Sequence, residues 1–187
     1  MKADPRRVAV LVSGRGSNLK ALIDRASGYE VALVASNKPQ AQALGVARAA
    51  GIPTWTFEGR GVPRELFDAM LTRSLEDHRI GTIALAGYMQ LLSPAFVERW
   101  RGRIVNIHPS LLPKYRGLNT HARALAAGED VTGCTVHVVT EELDSGEILA
   151  QTCVAIDECD DVAALSEKVL MAEHILYPAT LAAFVRR

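Results

Sequence analysis

The chain has 187 residues, 49% of them hydrophobic and 22% charged, which suits one domain with a substantial buried core and excludes a disordered polypeptide. Lys plus Arg number 21 and Asp plus Glu number 21, so the formal net charge is zero and the basic excess of a nucleic-acid binder is missing. No apolar run reaches membrane-spanning length, and Met1 to Arg7 does not lead into a signal-peptide pattern, so no membrane partner is expected and the expected location is cytoplasmic.

Val8-Ala9-Val10-Leu11-Val12 is a continuous apolar run, the pattern of a parallel strand buried on both faces. It leads into Ser13-Gly14-Arg15-Gly16-Ser17-Asn18. Leu19, Leu22, Ile23 and Ala26 then recur at helical spacing, predicting a helix from near Ser17 that stops before Gly28. A strand, a glycine loop and a helix N-terminus together favour an anion, because glycine lets backbone N–H groups approach a phosphate and the helix dipole adds positive charge. The loop is not a dinucleotide fingerprint, since Leu19 stands where the third glycine belongs, and it lacks the G-K-[ST] of a Walker A loop. Two readings stand: a phosphomonoester site using Gly16, Ser17 and Asn18, or a tight turn capped by Ser17.

Val31 to Ala35 reads as a second buried strand, followed by a helix over residues 40–50 and a short edge strand at Thr54-Trp55-Thr56-Phe57. Gly59-Arg60-Gly61-Val62-Pro63 reads as a loop, with Pro63 suited to the first turn of the next helix. The stripe Leu66, Phe67, Met70, Leu71 and Leu75 predicts that helix's core face, and Arg64 on its first turn is either a ligand contact or a solvated charge. A third strand over residues 82–86 leads into Gly87-Tyr88-Met89-Gln90-Leu91-Leu92, and Ser93-Pro94 opens a short helix through Trp100.

A fourth buried strand, residues 103–108, carries Asn106 and His108 at i and i+2, so their side chains face the same way. Pro109 then ends the ladder, having no N–H to donate. An amide and an imidazole side by side at a strand end make a carbonyl-polarising donor and a proton-handling group. The alternative is a histidine satisfied by the turn that follows.

Residues 120–127 read as a short helix. Cys134 to Val139 and Ile148 to Ile156 read as a hairpin around the acidic turn Thr140-Glu141-Glu142-Leu143-Asp144-Ser145-Gly146-Glu147, in which Asp144 is the acid expected to point inward. Asp160 or Asp161 caps a last helix bearing Leu165, Val169 and Ala172, which Pro178 kinks or ends near Tyr177. Cys134, Cys153 and Cys159 lack C-x-x-C spacing and read as buried thiols. His78, His121, His137 and His174 have no common metal spacing, so no metal is expected.

Strands alternating with helices predict a doubly wound α/β fold, with a mostly parallel sheet and an antiparallel hairpin in its C-terminal half. In such sheets ligands bind beyond the carboxyl ends of the strands. The segments starting at Ser13, Gly87 and Asn106 all follow strand ends and so converge on one edge.

Four motifs in this order, Ser13-Gly-Arg-Gly-Ser-Asn18, Gly87-Tyr-Met-Gln-Leu-Leu-Ser-Pro94, Asn106-Ile-His-Pro-Ser-Leu-Leu-Pro-Lys-Tyr115 and Glu142-Leu-Asp-Ser-Gly146, resemble the phosphoribosylglycinamide formyltransferase family. The resemblance covers essentially the whole chain, residues 1–187, as a single formyltransferase domain with a Rossmann-like fold. It implies formyl transfer from 10-formyltetrahydrofolate, as co-substrate, to the amine of phosphoribosylglycinamide in purine biosynthesis, by direct amine attack through a tetrahedral intermediate. It implies a catalytic trio of Asn106, His108 and Asp144. Gly16, Ser17 and Asn18 would hold the phosphate, and Leu170, Met171, Ala172 and Glu173 would lie against the ribonucleotide, with Glu173 on its ribose hydroxyls. The folate site would be lined by Arg64, Met89, Gln90, Leu91 and Leu92, and by Asn106, Thr140, Glu141, Glu142, Leu143 and Asp144. It also implies small-molecule partners, a monomer or homodimer, and a cis Leu112-Pro113 bond.

Arg116 and Asn119 depart from the proline and histidine often found there, and a longer C-terminal tail carried by some members is not expected here. Other formyl chemistries remain as rivals: transfer to methionyl-tRNA, where a further basic C-terminal domain would be expected; transfer to a nucleotide sugar; and hydrolysis of the formylfolate, where an N-terminal regulatory domain would be expected. A non-catalytic phosphate-binding module explains the glycine loop but not the convergence of Asn106, His108 and Asp144.

Overall fold

In the computed structural model, which describes residues 3–57 and 62–187, the apolar runs are strands of one sheet. They are β1 (Asp4–Val12), β2 (Glu30–Ser36), β3 (Thr54–Thr56), β4 (Ile80–Leu85), β5 (Ile104–His108), β6 (Val131–Val138) and β7 (Ile148–Ala155). Their order is β3-β2-β1-β4-β5-β6-β7, parallel from β3 to β5 and antiparallel through β6 and β7. The hairpin therefore caps the far side of the parallel sheet, as its alternating pattern predicts.

Helices cover both faces. α1 (Ser17–Asp24), α2 (Gln42–Ala49) and α6 (Val162–Phe184) bring Leu19, Leu22, Leu44, Leu165, Val169 and Leu181 against one face of the sheet. On the other face lie α3 (Arg64–Asp77) and α4 (Pro94–Arg99), with Phe67, Leu71, Leu75 and Phe96. Val8 to Val12 are fully buried between the layers, which is why this strand has no polar alternation. Each such large apolar side chain contributes roughly 1.5–3 kcal/mol of burial. α5 (Thr120–Ala126) stands beside the β5–β6 connection.

Several expectations need correction. Leu66 is 52% exposed, and the buried face of α3 is instead Phe67, Asp68, Leu71 and Leu75. Asp68 is held inside through its Oδ2, which accepts the Ser93 N–H at 2.8 Å, just before α4; among the described residues its buried Oδ1 has no partner. Pro63 precedes α3 as its cap residue rather than sitting in its first turn. Pro178 does not end α6, which continues to Phe184. Burial of Tyr177, Pro178, Leu181 and Ala182 against the sheet offsets the roughly 3 kcal/mol cost of an interior proline. Cys134 is buried as expected, whereas Cys153 and Cys159 are exposed. The expected loop at Gly59, Arg60 and Gly61 lies outside the described residues. Among the described residues no helix is long and apolar enough to cross a membrane.

One buried contact carries the fold into the site. The fully buried Tyr177 hydroxyl on α6 shares its proton between the carbonyls of Leu85, at 3.0 Å, and Val105, at 3.1 Å. It thus ties the last residue of β4 to the residue before Asn106.

Candidate active site

Two of the three segments expected on one edge, those after β1 and β4, meet directly, and Ser13 joins them to the loop after β2. Its N–H donates to the Gly87 carbonyl at 3.2 Å, its hydroxyl accepts the Met89 N–H at 2.8 Å, and that hydroxyl donates to Asn37 Oδ1 at 2.6 Å. The loops that follow β1, β2 and β4 are thereby held together at the carboxyl edge of the sheet.

Gly16 caps α1 from the left-handed region, at φ 89°, and makes no side-chain cap bond. A Cβ on Gly16 would lie 2.7 Å from Ala43 Cβ on α2, so both the conformation and the packing require glycine. Ser17 is not the cap; it is the first residue of the helix, among N–H groups that have no partner within the helix. Asn18 Nδ2 donates to Glu173 Oε2 at 2.6 Å, bringing the glycine loop and α6 together. Among the described residues, Asn18 Oδ1 is buried with no partner. Burial lifts the Glu173 carboxyl above its ordinary pKa, and the Asn18 bond offsets part of that rise. Of the segment from Leu170 to Glu173, only Glu173 turns toward Asn18; Met171 is 62% exposed and Ala172 packs on the core.

Asn106, His108 and Asp144 come together, with a fourth residue among them. β5 pairs with β6 so that Asn106 faces His137 and His108 faces Thr135. Asn106 Nδ2 lies 3.2 Å from His137 Nε2, while His137 Nδ1 lies 3.0 Å from the Val138 carbonyl. A proton on Nδ1 satisfies that carbonyl and leaves Nε2 as an acceptor for the Asn106 amide, so the second amide N–H of Asn106 is free for a ligand. Asp144 sits between two imidazoles: Oδ2 is 3.4 Å from His108 Nδ1, and Oδ1 is 3.6 Å from His137 Nε2. Burial pushes the Asp144 carboxyl up, but the imidazoles of His137 and His108 and the Gly117 N–H outweigh it. The net pKa lies below the ordinary carboxylate value.

The other ring nitrogen of His108, Nε2, lies 3.0 Å from the Tyr115 carbonyl. The turn between them is pinned from beneath. Thr135 Oγ1 donates to the Ser110 carbonyl at 2.6 Å and accepts the Leu112 N–H at 3.1 Å, and Gln151 Nε2 donates to the Leu112 carbonyl at 2.9 Å. The Leu112-Pro113 bond is cis. His121 on α5 is half-buried, and burial followed by the charge of His108 lowers its pKa.

Asp144 is the inward acid of its turn, with a side chain 8% exposed, while Glu141 and Glu142 are exposed. Thr140 Oγ1 and Ser145 Oγ both donate to the Glu142 carbonyl, at 3.1 and 2.9 Å. Leu143, Met89 and Leu91 are 54%, 67% and 62% exposed, and Gln90 and Leu92 are half-buried. Arg64 is exposed at the first residue of α3. Among the described residues no group of three or more acids, histidines or cysteines is placed to hold a metal ion.

The formyl transferase family profile matches residues 6–181. The chain belongs to the formyl transferase family. It is 42% identical to the phosphoribosylglycinamide formyltransferase of Escherichia coli, over 95% of this chain and 86% of that one. A trifunctional purine biosynthetic protein adenosine-3 of Drosophila melanogaster is 50% identical over 96% of this chain, which spans only 14% of that protein's length. The crystal structure of phosphoribosylglycinamide formyltransferase from Brucella melitensis is 45% identical and superposes with a TM-score of 0.92, over 97% of this chain and 96% of that one.

The sequence singles out Asn106, His108 and Asp144, which the structure brings together, but not His137 or Ser13, which lie among the same loops and strands. The alternating run Cys134 to Val139 placed His137 on one face of a strand, and only the β5–β6 register shows that this face meets Asn106.

Proposed function

We propose that this formyl transferase moves the formyl group of 10-formyltetrahydrofolate to the amine of 5′-phosphoribosylglycinamide, a step of de novo purine biosynthesis. The observation that carries the proposal is the cluster in which Asp144 lies between His108 and His137, and His137 holds the amide of Asn106. Family membership supplies the formyl chemistry. The glycine loop, with Glu173 bonded to Asn18, offers a phosphate-and-ribose acceptor site on the same sheet edge.

Gly16, Ser17 and Asn18 hold the ribonucleotide phosphate at the α1 N-terminus, and Glu173 accepts from the ribose hydroxyls. The folate enters beside Met89, Leu91, Leu92 and Leu143. The glycinamide nitrogen forms a bond to the formyl carbon, whose oxygen becomes an oxyanion. The free N–H of Asn106 donates to that oxyanion; losing one such donor typically costs ~100- to 1000-fold in rate. His108, with Asp144 as acceptor for its Nδ1–H, adds positive charge. As the folate nitrogen's bond to the formyl carbon breaks, that nitrogen takes up a proton and the amine sheds one, a transfer that the charged pair of His108 and Asp144 assists. Proton handling of this kind is worth roughly 100- to 10,000-fold.

The direct test mixes the purified chain with phosphoribosylglycinamide and a formylfolate and follows the absorbance of the deformylated folate. Turnover that requires the ribonucleotide is expected. No ribonucleotide-dependent change sinks the proposal, and deformylation without ribonucleotide makes the chain a hydrolase.

A further inference from the structure

The two catalytic groups His108 and Asp144 sit on different elements, yet both are aimed by one short strap. The Tyr115 carbonyl lies 3.0 Å from His108 Nε2, and two residues on the Gly117 N–H donates to Asp144 Oδ2 at 2.9 Å. With Nε2 held by the strap, Nδ1 is the nitrogen left to face Asp144. A shift of this backbone therefore misaligns both partners at once.

The strap is not a conformation the backbone adopts unaided. Tyr115, Gly117 and Asn119 all have positive φ, at 56°, 80° and 58°, and two of the three are not glycine. Such residues persist only where surrounding contacts over-determine them. Two groups from α5 and the turn after it supply those contacts. Glu129 accepts the Tyr115 hydroxyl at 2.7 Å and Lys114 Nζ at 2.8 Å. Arg123 Nη1 donates to the Arg116 carbonyl at 2.6 Å and reaches the Leu118 carbonyl at 3.4 Å, and its guanidinium lies 5.2 Å from the Tyr115 ring centroid. Arg123 thus holds the Arg116 carbonyl, which shares a peptide unit with the Gly117 N–H, and reaches the Leu118 carbonyl beyond it, together with the ring of the residue that meets His108.

We propose that Arg123 is a positioning residue for formyl transfer: it touches neither substrate, but sets the strap whose Tyr115 carbonyl and Gly117 N–H orient His108 and Asp144. The Arg116–Glu142 ion pair at 3.0 Å, between two exposed side chains, closes the strap onto the turn that carries Asp144 and is the weaker of the two fastenings. The inference rests on the formyl-transfer reading above, and its test separates the two.

The test measures kcat and both KM values for Arg123→Ala, for Arg123→Lys, and for Arg123→Ala combined with Asp144→Asn. Arg123→Ala should lower kcat about tenfold with both KM values within about twofold of wild type, because misplacement without loss of contact acts on the chemical step. Arg123→Lys keeps a cationic donor for the carbonyls and should recover most of the loss. In the Asp144→Asn background the alanine change should cost nothing further, since its effect runs through the pair already broken. A kcat within about twofold of wild type for Arg123→Ala, an undiminished loss in the Asp144→Asn background, or a loss matched by a fall in thermal midpoint overturns the proposal. A wild-type chain without formyl transfer sinks the formyl-transfer reading instead. The ¹⁵N signals of the His108 ring then decide the positioning claim: they move in Arg123→Ala if Arg123 sets the strap and stay put if it does not.

Discussion

Asn106 and His137 are cross-strand partners, and their side chains meet at 3.2 Å. The imidazole holds one amide hydrogen of Asn106 and so directs the other at the space where a formyl oxygen would develop charge. His137 also lies 3.6 Å from Asp144, which makes it the hinge between the donor and the acid. His137→Ala should therefore lower kcat by roughly tenfold to a hundredfold, less than the ~100- to 1000-fold expected for Asn106→Ala, which removes the donor itself. Steady-state kinetics on the two variants would check the order.

Glu173 gives a pH-dependent prediction whose sign follows from its environment. Burial raises its carboxyl pKa, against a partly compensating bond from Asn18. The folded chain therefore binds this proton more tightly than the unfolded chain. The resulting stability is complete below the unfolded carboxylate pKa, near ~4, and is lost as pH rises through the raised folded value. Glu173→Gln keeps an acceptor for Asn18 Nδ2 and removes the buried charge. It should raise the thermal midpoint at neutral pH, with the gap to wild type closing as the pH falls through the carboxylate range. The same variant should raise KM for the ribonucleotide, so that stability and function trade against each other. Thermal melts across pH, with kinetics at neutral pH, would check both halves.

The Tyr177 hydroxyl bonds two buried carbonyls, those of Leu85 and Val105. Tyr177→Phe preserves the packing but removes both of these buried bonds, and should cost about 1–3 kcal/mol in urea unfolding.

Much of this fold is legible in the amino-acid order, for a physical reason. A strand buried on both faces cannot be polar, so Val8 to Val12 declares itself; the glycine loop follows one strand end and the Asn106-x-His108 pair occupies another, both in a direction the parallel fold dictates. What stayed hidden depends on register or on compensation. Which residue of β6 opposes Asn106 is set by a pairing between segments about thirty residues apart, so His137 looked like any strand histidine. Asp68 is buried with one carboxylate oxygen bonded by the Ser93 N–H from another element, and Leu66, two residues before it, lies outside the buried face of α3. Ser13 fastens two other loops through bonds to Gly87, Met89 and Asn37 that no local pattern announces.

The central claim is that the pair of His108 and Asp144, held 3.4 Å apart, carries formyl transfer rather than substrate binding. The most direct measurement is single-turnover formyl transfer by Asp144→Asn, alongside the ribonucleotide affinity of the same variant. Affinity close to wild type with a transfer rate lower by roughly 100-fold or more is expected. A transfer rate near that of wild type would remove Asp144 from the mechanism and contradict the claim.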